Sequence, residues 1–173
     1  MRHHDINQEH NLEFQAFDAD RGKKVAVMDD QTMLQTMEEY HRQILDGLAT
    51  IRGHCDASEP DSSALDVTRK RLSAVSQARS TFVTEIVVPR LLQDSDVDER
   101  AELLDLLCVI AAKREISFEH VEKWTRTTID GDWLGYCGAA RVIWAMMEDQ
   151  LDRERLYIIN RLRNVDEVAV PAR

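Results

Sequence analysis

Four side chains able to bind a metal or hold a buried charge fall on seams that are otherwise mostly apolar. Between residues 33 and 51, alternating spacings of three and four pick out Leu34, Met37, His41, Ile44, Leu48 and Ile51. That is one helical stripe, apolar at every position except His41. A second stripe reads Leu65, Thr68, Leu72, Val75, Arg79, Phe82 and Ile86, with Arg79 as its charged member. A third reads Tyr136, Ala140, Ile143, Met147, Gln150, Glu154 and Tyr157. Gln150 and Glu154 are four apart and leave one helix in the same direction. One polar residue on a seam often only fixes register. Polar residues near the middle of three helices are a different matter, because a buried charge without a partner costs roughly several kcal/mol. These groups are expected to meet one another or an ion. His120, one turn before Trp124, is a further candidate, although Val121 competes with it for the inward position.

The elements that position these residues are helices. The first is predicted over 30–52, with Asp30 and Asp29 available as N-caps and Gly53 as the stop. HCDASEPDSS reads as a loop. The second helix is capped by Asp61, Ser62 or Ser63 and runs to Pro89 and a little beyond, where the ring should kink or end it. After the acidic turn QDSDVDE, a third helix is expected from about Asp98 to Thr128. Leu103, Leu107, Ile110, Val121 and Trp124 are among its apolar residues, and the polar AAKREIS allows a break near Ser117. Asp132 can cap a fourth helix from Trp133 to about Asn164, ahead of a frayed tail. Four amphipathic helices joined by short loops predict an all-α, up-down-up-down four-helix bundle over 30–165. Residues 1–29 form a separate arm. Its alternating Leu12, Phe14, Ala16, Val25 and Val27 suit a short β-hairpin packed on the bundle or on a second subunit, and a mobile tail is the alternative. Residues 166–173 are a tail.

Composition narrows the function. The 173 residues carry a net charge of −10, which argues against nucleic acid or an anionic membrane surface as the main partner. No apolar run reaches the ~20 residues of a membrane span, and MRHHDINQEH has no apolar signal core. Cys55, Cys108 and Cys137 are an odd, widely spaced set and read as reduced thiols of a cytoplasmic protein. Cys108 and Cys137 have apolar neighbours and are expected to pack in the core, while His54-Cys55 reads as an exposed loop pair.

EEYHRQILDGL resembles the first-helix motif of the hemerythrin-like HHE cation-binding domains. FVTEIVVPRLL is similar to the end of that family's second helix, and FEHVEKW to its third-helix segment. QLDRERLYIINRL resembles the closing His-x-x-x-Glu helix, with Gln150 in the His place and Glu154 in the Glu place. The resemblance covers about residues 33–163. It implies a four-helix bundle around a non-haem di-iron site, with O₂ binding, iron handling or redox sensing as roles. The ligand set departs from the family pattern. The second-helix His place falls at Arg79 or Thr81, and neither is a histidine. His41, His120 and Glu154 survive, with Glu85 and Gln150 as further candidates.

Two readings follow. In one, Arg79 supplies the positive charge that iron would carry, forks onto Glu154, and leaves a metal-free, non-enzymatic module for signalling or for association with another protein. In the other, His41, His120 and Glu154 hold a single iron, manganese or zinc ion. A homodimer built through the arm is a further expectation. Weaker motifs have bland alternatives. Asp94, Asp96, Asp98, Glu102 and Asp105 are spaced like a calcium loop, but Glu99 stands where the turn needs Gly. An acidic helix cap is the alternative. His3, His4 and His10 are either a metal-binding cluster or a polar terminus. Trp144, Met146 and Met147 read as core or interface filler. His41 on a buried seam does not suit phosphotransfer.

Overall fold

The computed structural model describes residues 28–168. The arm, its expected hairpin and His3, His4 and His10 lie outside the described residues. The described chain is all-α, with no strand in it. Its helices are α1 (Asp30–Asp56), α2 (Ser62–Phe82), α3 (Val88–Leu91), α4 (Val97–Lys123), α5 (Arg126–Gly131), α6 (Trp133–Glu154) and α7 (Asn160–Val168). Two wide π-helical turns, Val83–Val87 and Arg155–Ile159, join α2 to α3 and α6 to α7.

Local chemistry sets the helix ends. The Asp29 side chain accepts from the Thr32 amide, so Asp29 and not Asp30 is the first N-cap. Gly53 does not stop α1, which continues to Asp56; no glycine among the described residues takes a positive φ. His54 and Cys55 are therefore helical, and both are half-buried, not part of an exposed loop. Asp61 caps α2 and Asp132 caps α6.

Asp96 and Glu99 close a reciprocal capping box at the start of α4. Asp94 pairs with Arg90, and Glu102 with Arg161. The acidic run is thus spent on a cap and on ion pairs. α4 passes straight through Ser117, because Ala, Lys, Arg and Glu there are good helix formers, with Arg114 and Glu115 exposed and Lys113 bonded to Asp149. The break comes later, at Trp124, where Thr125 caps α5 by accepting from the Thr128 amide. α7 extends the last helix to Val168, past the expected end at Asn164.

Helix pairing follows the apolar stripes. α1 and α2 are antiparallel: Tyr40 meets Phe82, Gly47 meets Leu72, and His54 meets Thr68. A Cβ at Gly47 would stand 3.0 Å from Leu72 Cδ1, so glycine permits the close approach there. α4 and α6 are also antiparallel, with Lys113 bonded to Asp149 and His120 beside Tyr136. α1 also packs on α6 and α7, whereas α2 and α4 do not pack closely on each other.

Two apolar cores result. One gathers Met33, Met37, Phe82, Val87, Leu103 and Ile158. The other gathers Ile44, Leu48, Leu65, Trp124, Tyr136 and Trp144. Burying one such side chain fully contributes about 1.5–3 kcal/mol. Cys137 joins the second core, but Cys108 is exposed. Leu103, Leu106 and Ile110 take the inward positions of that part of α4 and turn Cys108 outward.

Candidate functional site

The polar side chains lie between the two cores. Along α1, Met37 belongs to one core and Ile44 to the other, with His41 between them. Along the last helix, Leu151 and Ile158 flank Glu154 in the same way. On α2, Leu72 and Phe82 flank Arg79. Helical periodicity brings all three onto inward faces at one level.

Glu154 is the centre of this layer and is fully buried. Its Oε1 accepts from Arg79 Nη1 and, at 2.9 Å, from Gln150 Nε2. Its Oε2 lies 3.0 Å from His41 Nε2. Burial alone would push the Glu154 carboxyl up. The His41 hydrogen bond, the Arg79 charge and the Gln150 amide overcome this and hold it below the usual carboxylate range. An ionised carboxylate only accepts, so His41 Nε2 is the donor.

Arg79 does not fork onto Glu154, as the sequence led us to expect. It gives one N–H to the carboxylate, and its Nη2 donates at 3.2 Å to Ser80 Oγ. His41 occupies the other carboxylate oxygen, and the second Arg79 amine turns to Ser80 instead. Ser80 is fully buried and was not legible beforehand as part of the site. Its position one residue after a seam arginine was the available signal.

The other candidates lie elsewhere. His120 is half-buried beside Tyr136, with ring centroids 6.0 Å apart, and does not join Glu154. Burial lowers its pKa to about 4, with help from the charges of Arg69 and Lys123. Val121 is 46% exposed and does not displace it. Glu85 is exposed on the first π-turn. Among the described residues, no three His, Cys, Asp or Glu side chains come together as a metal-binding group. The donor set around Glu154 also suits iron poorly. Arg79 brings a fixed cation to the carboxylate that would have to bind the metal, and Gln150 offers only a neutral amide.

Both π-turns begin close to this layer. One starts three residues after Ser80 and the other directly after Glu154. Such turns recur at functional sites because they aim side chains that a regular helix would misplace.

An open cavity of about 730 Å³ adjoins the layer, between α2, α4 and α6, with Ile44 and Ile51 of α1 also in its lining. Arg79, Ser80 and Gln150 form one end of it; Arg69, His120 and Tyr136 lie toward the other. Behind its wall, Arg79 Nε, Gln150 Oε1 and His41 Nδ1 are enclosed by protein and have no hydrogen-bond partner.

In comparisons with known proteins, no family model, no curated protein and no solved structure matches this chain. Among the described residues, no helix is long and apolar enough to cross a membrane.

Proposed function

We propose that the chain is a metal-independent, non-enzymatic helical module, built as an up-down-up-down four-helix bundle of hemerythrin-like type. It works in signalling or through association with another protein. The antiparallel pairs α1–α2 and α4–α6 support the bundle topology. The observation that carries the metal-free reading is the occupation of Glu154: Arg79 and Gln150 hold one carboxylate oxygen and His41 the other. A guanidinium then does the charge balancing that a metal does in a di-iron bundle.

Metal analysis and absorbance test this on protein purified without chelator and without an affinity tag. The expected result is negligible iron and no near-ultraviolet oxo-bridged band. About two iron atoms per chain, as in a carboxylate-bridged bundle, would overturn the reading. A single bound ion that is lost in His120→Ala would favour the reduced site on His41, His120 and Glu154 instead.

A further inference from the structure

The cavity beside the buried layer has walls unlike the rest of the molecule. The chain as a whole carries a net charge of −10. Yet the cavity is lined by four cations, Arg69, Arg79, Lys113 and Arg114, against one carboxylate, Glu115. Arg79 and Lys113 are already matched, by Glu154 and Asp149. Arg69 and Arg114 make no ion pair among the described residues. The Arg69 guanidinium lies 5.2 Å from the centroid of the Tyr136 ring, inside the distance at which a cation is held over an aromatic face. That leaves its N–H fork free to grip an oxyanion edge-on.

The remainder of the wall mixes an apolar face with polar side chains, among them Ser73, Ser76, Gln77 and Ser117. Leu72, Ile110, Tyr136, Trp144 and Met147 form the apolar face. At the deep end, Arg79 and Gln150 are only 6% and 3% exposed, and their unpartnered Nε and Oε1 are enclosed by protein and do not open onto the cavity. Arg69 and Arg79 are ten residues apart on α2, about 15 Å at 1.5 Å per residue. The volume falls within the roughly 300–1,000 Å³ of small-molecule sites. It is too small for a folded partner.

We infer that this cavity binds an elongated small organic acid, with its anionic end on Arg69 and its apolar body along Tyr136, Trp144 and Met147. The inference goes beyond the metal-free reading and stands on the cavity wall alone. Iron analysis tests that reading; the probes below test the cavity. His120, at the same end, has its pKa lowered first by burial and then by the charges of Arg69 and Lys123.

A matched pair of fluorescent probes decides the matter: anilinonaphthalene sulfonate and its uncharged parent, phenylnaphthylamine. They share an aromatic body and differ in the anion. Fluorescence titration of the full chain is expected to show saturable one-to-one binding of the sulfonate, at least about tenfold tighter than the parent. Arg69→Gln should remove that preference while leaving the parent's affinity within about twofold. Arg114→Gln, at an exposed position, should reduce the preference less. Ser76→Trp, which fills the cavity, should weaken both probes. Near-ultraviolet circular dichroism checks that each variant is folded, and Arg114→Gln keeps the test alive if Arg69→Gln is not. Absence of saturable binding, equal affinity for the two probes, or a charge preference unchanged in folded Arg69→Gln, or in Arg114→Gln should Arg69→Gln not fold, would overturn the inference.

Discussion

At the scale of single residues, Glu154 and Arg79 depend on each other more than either contributes alone. Removing one partner of a buried pair leaves an uncompensated charge and costs about 3–5 kcal/mol, whereas replacing both with apolar groups is often neutral. Arg79→Met is therefore expected to destabilise by that amount in urea denaturation. Combining it with Glu154→Leu should recover most of the loss. A double variant as unstable as the sum of the single ones would show that the two residues do not act as a unit.

The pH dependence has two windows of the same sign. The folded His120 pKa is lowered to about 4, from an unfolded value near 6.5, so the unfolded chain binds the extra proton between those limits. Stability should fall as the pH is lowered through that range, and His120→Gln should flatten this limb. Glu154 is also held below its ordinary value, so its contribution is present above the unfolded carboxylate range. It is lost at lower pH, as the medium passes through the folded pKa. Urea midpoints measured from pH 7 to pH 3 separate the two limbs.

The residue-scale grouping was legible because polar residues on apolar seams stand out at helical spacing. The exact bonds were not. Whether Arg79 forks onto a carboxylate or shares its N–H groups with Ser80 depends on side-chain packing that periodicity does not encode.

At the scale of elements, the π-turns are the feature that sequence periods handle least well. Pro89 announced a disturbance, but not its form. A proline ring clashes with the carbonyl four residues back, here that of Glu85. The wide turn over Val83–Val87 opens the helix just before Pro89, and the Val88 amide reaches back five residues to the Val83 carbonyl. A π-turn is one residue inserted into an α-helix, and it leaves the flanking helices in register. Deleting exposed Glu85 should therefore keep Val87, Val88 and Leu91 in the core, but it restores the clash. The expected cost is about 3 kcal/mol. Adding Pro89→Ala to the deletion should recover most of it. If Pro89→Ala does not rescue the deletion, the turn serves the Arg79 layer and not the proline.

The same blindness to irregular turns affected the last helix. A regular stripe runs from Glu154 to Tyr157, but the π-turn buries Ile158 and Ile159 instead and leaves Tyr157 half-buried. The long rods were legible from their stripes. Their ends moved where Gly53 stayed helical and where the polar AAKREIS run continued as helix.

At the scale of the whole molecule, the cavity owes its existence to the gap between α2 and α4, which do not pack closely on each other. Sequence periods say which face of a helix turns inward, but not how far apart two helices stand. That is why the gap between α2 and α4 could not be read in advance. The structure also shows what this gap does to α4. Its first half is anchored by Leu103, Leu106 and Ile110, whereas residues 111–123 include no buried side chain. Ile116 and Phe118 in that half are 47% and 57% exposed. A segment with few buried apolar contacts opens at a lower free energy than the core. Hydrogen exchange is expected to show amides of 111–123 exchanging well ahead of those of 33–51, where the α1 stripe is buried throughout. Because Lys113, Arg114, His120 and Val121 also line the cavity, a bound organic anion should slow exchange in 111–123 more than in α1. Uniform exchange across α4 would mean that its distal half is held as firmly as the rest. Slowing confined to α1, whose Ile44 and Ile51 also line the cavity, would place the anion away from α4.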